Sequence, residues 1–275
     1  MTHAFVKMNG LGNDFVVVEA RTQSFSPSAA EVRRLADRKS GLGCDQLVAI
    51  EPSDKADARI RFWNADGEVA GACGNASRCV AWLLMRDLGR DAVILETDGG
   101  LLQARRLGPE LISVDMGQPG LDWSEIPLSR AMDTREIDLS ASLPPGADLG
   151  LAGCVSMGNP HVVFFVPDLA AMPVTTLGPL IEHDPLFPDA VNVGFAEIKA
   201  RDHIRLRVWE RGAGLTLACG TGSCAALVAA SRRGLVDRSA WLELDGGDLT
   251  IEWRTSDDHV IMTGPVEVEF EGVLP

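Results

Sequence analysis

Residues 61–77 read RFWNADGEVAGACGNAS, and residues 207–223 read RVWERGAGLTLACGTGS. At a constant offset of 146 they pair Arg61 with Arg207, Trp63 with Trp209, Ala72–Cys73–Gly74 with Ala218–Cys219–Gly220, and Ser77 with Ser223. No gap is needed. The same offset pairs Gly12–Asn13 with Gly158–Asn159, Gln46 with Asn192, and Asn64 with Glu210. One residue further out, Asp98–Gly99–Gly100 meets Asp245–Gly246–Gly247. Chance resemblance between two strand–loop–helix units does not hold one register over so long a span, so the chain reads as a duplicated half. Two such copies are expected to pack about a pseudo-two-fold axis, bringing equivalent residues towards each other.

Each copy carries the same coarse pattern. Val16–Glu19, Leu47–Ile50, Ala58–Trp63 and Ala92–Thr97 read as strands from their β-branched content, alternation and flanking Gly, Asn or Asp. Val162–Val166, Ile204–Trp209, Trp241–Leu244 and Leu249–Trp253 echo them in the second copy. Ser28–Arg38 has helical spacing, with Ser28 and Glu31 placed as a capping box. Helices also begin at the two paired cysteines and close at Gly89 and Gly234, each after basic residues. Both are apolar nearly all round, the pattern of a buried central helix. The expected fold is therefore α/β of the α+β type: two pseudo-symmetric halves, each a β-barrel-like mixed sheet wrapped around a central helix. The expected boundaries are 1–118 plus 264–275 for the first half and 119–263 for the second, with a last strand near Val266–Phe270 returning to the first half.

Composition narrows the function. The formal charge of −14 disfavours nucleic acid, which needs a basic patch. The chain has no apolar run of membrane-spanning length and no signal-peptide layout at Met1–Gly10, so a cytoplasmic protein without membrane attachment is expected. Six cysteines, Cys44, Cys73, Cys79, Cys154, Cys219 and Cys224, read as reduced thiols. None forms a C-x-x-C pair, and the spacings match no zinc ribbon or finger, so no metal is expected.

Cys73 and Cys219 differ from the other four. Each is repeated, stands just before a helix and is followed by glycine. A helix start offers unpaired N–H groups and a positive dipole end, which stabilise a thiolate and also bind a carboxylate. Two such starts sharing one substrate would suit proton exchange at the carbon next to a carboxylate. One thiolate removes the proton from one face, the other thiol delivers one to the opposite face, and N–H donors hold the charge that develops. Cys44, Cys79, Cys154 and Cys224 read as small buried hydrophobes.

MNGLGNDF (8–15), GLGCDQ (41–46), FWNADG (62–67), ACGNASRC (72–79), SMGNPHVVF (156–164), VNVGF (191–195), WERGAG (209–214) and ACGTGSCA (218–225) together resemble the diaminopimelate epimerase family, from residue 8 to about residue 272. The resemblance implies interconversion of LL- and meso-2,6-diaminoheptanedioate for lysine and peptidoglycan precursors, with neither pyridoxal phosphate nor metal and no cofactor of any kind. It implies Cys73 and Cys219 as the acid/base pair, with His161 supporting the thiols. Gly74, Asn75, Gly220 and Thr221 would hold the reacting carboxylate, and Glu210 the reacting ammonium. Asn64, Asn159, Asn192 and Arg211 would hold the distal carboxylate and its stereocentre, with Asn13 and Gln46 lining the pocket. A homodimer is also implied.

Other readings of these residues stay open at this point. Asn13 and Asn159 beside glycine fit turns, His161 after Pro160 fits a turn closure, and Glu210–Arg211 fits a solvated ion pair. A sister racemase acting on proline or hydroxyproline is the nearest rival function, and a thiol-redox or metal-binding protein and an inactive binding module are others. Three positions depart from the family pattern. Ala76 stands where glycine is common, Phe270 where a tyrosine often supports dimerisation, and Cys44 adds a thiol next to Gln46.

Overall fold

The computed structural model describes residues 3–71 and 73–274. Ala72 of the repeated Ala-Cys-Gly triplet and the extreme termini lie outside the described residues. The chain divides into two compact units, Met1–Asp115 with Thr263–Pro275, and Met116–Met262.

The first unit opens with the hairpin Ala4–Gly10/Asn13–Glu19. Its two-residue turn puts both Leu11 (φ 64°) and Gly12 (φ 78°) in the left-handed region, as a hairpin of right-handed twist requires. Leucine is disfavoured there, but its side chain is buried, and the Asn9 side-chain oxygen accepts the Gly12 N–H at 2.8 Å. Asn13–Glu19 pairs in parallel with Gln46–Glu51, and helix Ala29–Ala36 makes the crossover. Both halves of the Ser28/Glu31 capping box form, and the helix stops at Ala36, two residues before the expected end. Gln46–Glu51 pairs antiparallel with Ala58–Asn64, which pairs in parallel with Ala92–Thr97 across the helix Gly74–Leu88. Gly100–Gly108 and Leu111–Asp115 continue antiparallel. The last strand, Glu267–Val273, pairs with Ala4–Gly10.

The second unit repeats this order. Hairpin Ala152–Ser156/Pro160–Phe165 is followed by helix Val174–Glu182, and Pro160–Phe165 pairs in parallel with Asn192–Ala200. That strand pairs antiparallel with His203–Glu210, which runs parallel to Ser239–Leu244 across helix Gly220–Arg232. Gly247–Trp253 closes a hairpin on Ser239–Leu244. Registers repeat as well as elements: Phe15 faces Gln46 in the first unit, and His161 faces Asn192 in the second.

In each unit the strands pack around one helix that begins at a repeated cysteine. The all-round apolar pattern explains the placement. Val80, Leu83, Leu84 and Met85 are buried in one unit, and Ala226, Leu227 and Val228 in the other. Each of the larger side chains contributes roughly 1.5–3 kcal/mol of burial energy, against a side-chain entropy cost of about 0.5–2 kcal/mol. The shorter helices cover the outer sheet faces, where Val32 and Leu35 pack with Val16, Val18, Leu47 and Trp63, and Leu177 and Ile181 pack with Val162, Phe164, Val193 and Phe195. Among the described residues no helix is long and apolar enough to cross a membrane.

Candidate active site

Cys73 is the N-cap of its helix, with extended backbone (φ −148°, ψ 111°), and Cys219 occupies the same place in the other unit (φ −122°, ψ 110°). Both helix starts are tied in the same way. The Cys73 carbonyl accepts the Ser77 N–H at 2.9 Å and hydroxyl at 2.8 Å, and the Cys219 carbonyl accepts the same groups of Ser223 at the same distances. The sulfur atoms are met differently. Cys219 Sγ accepts the Gly222 N–H at 3.3 Å and lies 3.7 Å from the Thr221 hydroxyl. Cys73 Sγ is half-buried and lies 3.9 Å from Asn13 Oδ1, to which its S–H donates.

In the first unit, Gln46 Nε2 donates to Asn64 Oδ1 at 2.9 Å across the paired strands, which sets both side chains. Gln46 Oε1 is buried and accepts no hydrogen bond within the protein. Asn75 is buried in the first turn of the helix, where its side-chain oxygen accepts from the fully buried Arg78 guanidinium at 3.0 Å. Asn13 Nδ2 donates to Asp45 Oδ2 at 2.8 Å. Asp45 also accepts from Arg38 at 2.7 Å, and Arg38 and the buried Lys7 both bind Asp14. Burial pushes the Asp14 carboxyl up, but Arg38 and Lys7 hold it well below the usual carboxylate range.

The second unit places Asn159, His161, Asn192, Glu210, Arg211, Gly220 and Thr221 around Cys219 and the turn after His203–Glu210. Asn159 Nδ2 donates to Thr221 Oγ1 at 3.4 Å, and Asn159 Oδ1 is 3.0 Å from His161 Nε2. Asn192 accepts the Arg211 N–H at 3.0 Å and donates to the Pro160 carbonyl at 2.9 Å. The exposed Arg211 guanidinium donates to the Asp189 carbonyl at 2.8 Å. No ion pair between Arg211 and Glu210 is present among the described residues. Glu210 instead accepts the Thr216 hydroxyl at 2.5 Å and interacts with Cys219.

Burial raises the Glu210 carboxyl, and the Thr216 and Cys219 side chains partly offset this. Burial also pushes the Cys219 thiol well above its ordinary value, and the adjoining Glu210 charge adds to the effect against the Gly222 N–H and Thr221 hydroxyl. A thiol and a carboxyl so coupled favour a single negative charge, until a cation arrives to neutralise Glu210.

His161 is buried, and burial followed by the Arg211 charge lowers its pKa to about 3. It is therefore neutral near pH 7. An unfolded histidine takes up a proton below about pH 6.5 while folded His161 does not, so acidification favours the unfolded chain. Stability should fall as the pH is lowered from about 6.5 towards 3, at a slope approaching about 1.4 kcal/mol per unit. Urea denaturation at pH 7, 6 and 5 measures this. His161→Phe, which copies Phe15 of the other unit, should flatten the profile, and an equally steep fall in that variant would show that His161 is not its source.

The remaining cysteines are packing residues. Burial pushes Cys44 up to about 11 and Cys79 up to about 12, and raises Cys154 further, so none of these three is poised as a nucleophile, and Cys224 is fully buried. Ala76 is fully buried in the first turn of its helix, and Phe270 is exposed, packed edge-on to Phe5 with centroids 5.9 Å apart. Among the described residues no three His, Cys, Asp or Glu side chains cluster as a metal site would need.

Three contributors carry no role in the reading of the sequence: Asp45 within GLGCDQ, Arg78 within ACGNASRC, and Glu182 outside every motif. Buried Glu182 accepts the Trp209 indole N–H at 2.7 Å and the Gly212 N–H at 2.8 Å, so it grips the turn on both sides of Glu210 and Arg211. At the repeat offset its place in the first unit is taken by Ala36, so the duplication carries no signal of it.

A family model described as diaminopimelate epimerase matches the chain twice, over residues 5–121 and 153–269. A diaminopimelate epimerase of Phenylobacterium zucineum is 63% identical, with 100% of this chain and 99% of the relative covered. One of Caulobacter vibrioides is 56% identical, with 100% and 98% covered. Among solved structures, a PhzF-family phenazine biosynthesis protein of Enterococcus faecalis superposes with a TM-score of 0.70 at 14% identity over all of both chains. A hydroxyproline epimerase of Agrobacterium vitis does so with a TM-score of 0.67 at 16% identity, over 99% of this chain and 92% of that one. At these identities the structural likenesses establish the fold alone.

Proposed function

The chain belongs to the diaminopimelate epimerase family, and from that premise we propose that it interconverts LL- and meso-2,6-diaminoheptanedioate with Cys73 and Cys219 as its two acid/base groups. The observation that carries this reading is the same build occurring twice: a cysteine capping a buried helix, with Asn13 against Cys73 Sγ in one unit and the equivalent Asn159 against Thr221 in the first turn of the Cys219 helix in the other. Inversion at an α-carbon needs a base on one face and an acid on the other. Duplication supplies one thiol for each.

Each helix start offers N–H groups at Gly74–Asn75 and Gly220–Thr221 for the reacting carboxylate, where charge develops as the α-proton leaves. Glu210 receives the reacting ammonium. That cation neutralises the carboxylate beside Cys219, removing the repulsion that adds to burial in keeping this sulfur protonated, so substrate binding itself helps to prepare the base. Asn64, Asn159, Asn192 and Arg211 hold the distal end, with Asn13 and Gln46 lining the pocket. The thiols and the substrate's own carboxylate suffice for the proton transfers, so the reaction runs without pyridoxal phosphate or metal. A cytoplasmic homodimer completes the proposal.

Among rival substrates, proline and hydroxyproline lack the second carboxylate that Arg211 and the asparagines would bind. Assaying purified protein on LL-diaminopimelate, L-proline and trans-4-hydroxy-L-proline tests the assignment. Turnover of diaminopimelate alone is expected, and preference for either imino acid would overturn it.

A further inference from the structure

Asn13 and Asn159 occupy equivalent places in the two units, yet their amides are turned in opposite senses. Asn13 gives its NH2 to Asp45 (2.8 Å) and its carbonyl oxygen faces Cys73 Sγ (3.9 Å). Asn159 turns its carbonyl oxygen to His161 (3.0 Å) and its NH2 to Thr221 (3.4 Å). The partners that set each sense are not repeated: at the offset of 146, Asp45 meets Val191 and His161 meets Phe15.

Chemistry fixes the sense at Asn13. A carboxylate only accepts hydrogen bonds, so a flipped amide would set two acceptor oxygens against each other at bonding distance. Asp45 cannot swing away to relieve this. Its Oδ1 accepts from Arg38 at 2.7 Å, its Oδ2 also accepts the Asp14 N–H at 3.1 Å, and its own N–H is held by Asp14 at 3.0 Å. Asp14 is in turn bound by Lys7 and Arg38.

We propose that Asp45 is a positioning residue that locks the Asn13 amide with its oxygen towards Cys73, so that Cys73 is held as the proton-bearing thiol between turnovers. The carbonyl accepts the S–H bond and has nothing to donate to a thiolate, so the thiol form is favoured. Released from Asp45, the amide can present its NH2 and favour the thiolate instead. The two half-sites thus differ in proton affinity although their cysteines are equivalent by descent. This deepens the epimerase reading and rests on it for its meaning, but the geometry is tested without turnover.

The ionisable groups on the Cys73 helix and on the strands packed against it are Lys7, Asp14, Glu19, Arg78, Cys79, Arg86, Asp87, Glu96, Arg105, Arg106 and Asp115, and these, with Arg38 and Cys44 beside the Asp14–Asp45 pair, are all retained in the test. The rate of iodoacetamide alkylation is followed against pH in the full chain without substrate, and each cysteine is resolved by peptide mass spectrometry. Asp45→Ala should lower the midpoint for Cys73 by about half a unit or more and leave that for Cys219 in place. Loss of the Asp45 charge would by itself favour thiolate, so the comparison is repeated with Asn13→Ala present. There Asp45→Ala should shift the midpoint by less than half as much. An unchanged or raised Cys73 midpoint overturns the proposal, and so does a full shift that persists without Asn13. If Asp45→Ala does not fold, Asp45→Asn, of the same shape, should move the midpoint in the same direction and is judged by the same criteria. Because alkylation needs no substrate, failure here is distinguishable from absence of epimerase activity.

Discussion

Replacing Cys73 or Cys219 with alanine is expected to reduce epimerisation by at least about a thousandfold, because on the proposed mechanism each substitution deletes one of the two proton-transfer groups. The fold should survive. Cys73 is half-buried and packs little, so its loss should cost about 1 kcal/mol or less. Cys219 is buried and accepts the Gly222 N–H, so Cys219→Ala should cost somewhat more, about 1–2 kcal/mol, for the vacated volume and the orphaned donor. Circular dichroism and urea titration separate lost chemistry from lost structure. Near-normal turnover by either variant, with its fold intact, would remove that cysteine from the mechanism. The two variants should also fail equally in both directions of reaction, since each direction needs both groups.

Gly178→Ala should damage both stability and activity. A Cβ at this position would sit 2.4 Å from Trp209 Cγ, 2.6 Å from Cδ2 and 2.7 Å from Cβ. These atoms belong to the root of a large ring, not to the free end of a flexible chain. Alanine normally favours a helix over glycine by about 1 kcal/mol, but overpacking of this kind costs typically 1–3 kcal/mol and here lies at or above the upper end. A net loss of about 2–3 kcal/mol in urea denaturation, with an unchanged m-value, is expected. The indole is gripped by Glu182 and is followed directly by Glu210 and Arg211. Its displacement should therefore lower kcat/KM by about tenfold or more, since small misplacement of binding groups is costly. A variant as stable and active as the parent would show that the helix yields freely and that Trp209 is not what positions the turn.

The same residues show how much of the structure could be read in advance. The strands Asn13–Glu19, Gln46–Glu51, Ala58–Asn64, Ala92–Thr97, Pro160–Phe165 and His203–Glu210, the helix Ala29–Ala36 and the cysteine helices follow from features with a fixed period or a fixed chemistry: β-branched alternation, the Ser28/Glu31 box, and Gly89 in the left-handed region after Met85–Leu88. Each is local, so each is written in a short stretch. Helix Val174–Glu182 went unread because Gly178 and Pro179 interrupt its pattern; the glycine is there to admit Trp209, which only the folded unit reveals. Strand Gly100–Gly108 carries little signal because only Ala104 of its nine residues is buried, and Leu111–Asp115, although Ile112 and Val114 alternate into the core, is only five residues long.

The candidate site divides similarly. Residues that repeat, such as Asn13 with Asn159, Gln46 with Asn192 and Cys73 with Cys219, declare themselves through the offset. Those that make the halves unlike each other do not repeat. Asp45 stands inside GLGCDQ between two residues that drew notice, and Glu182 lies outside every motif. Their roles come from what they touch: an amide in one unit and an indole with a backbone N–H in the other. Arg211 reads from sequence as one half of a possible pair with Glu210, whereas its guanidinium binds the Asp189 carbonyl and leaves Glu210 to Thr216 and Cys219.

The central claim is that two separate thiols exchange a proton through one α-carbon, and solvent-label kinetics address it most directly. LL-diaminopimelate is incubated with the enzyme in D2O without added cofactor, and α-hydrogen content is followed by NMR in both isomers from the earliest times. With one group removing the proton and a solvent-equilibrated group delivering another, deuterium should enter the meso product while the remaining LL substrate is still unlabelled. Label appearing equally early in both isomers, or meso product formed without label, would contradict the account.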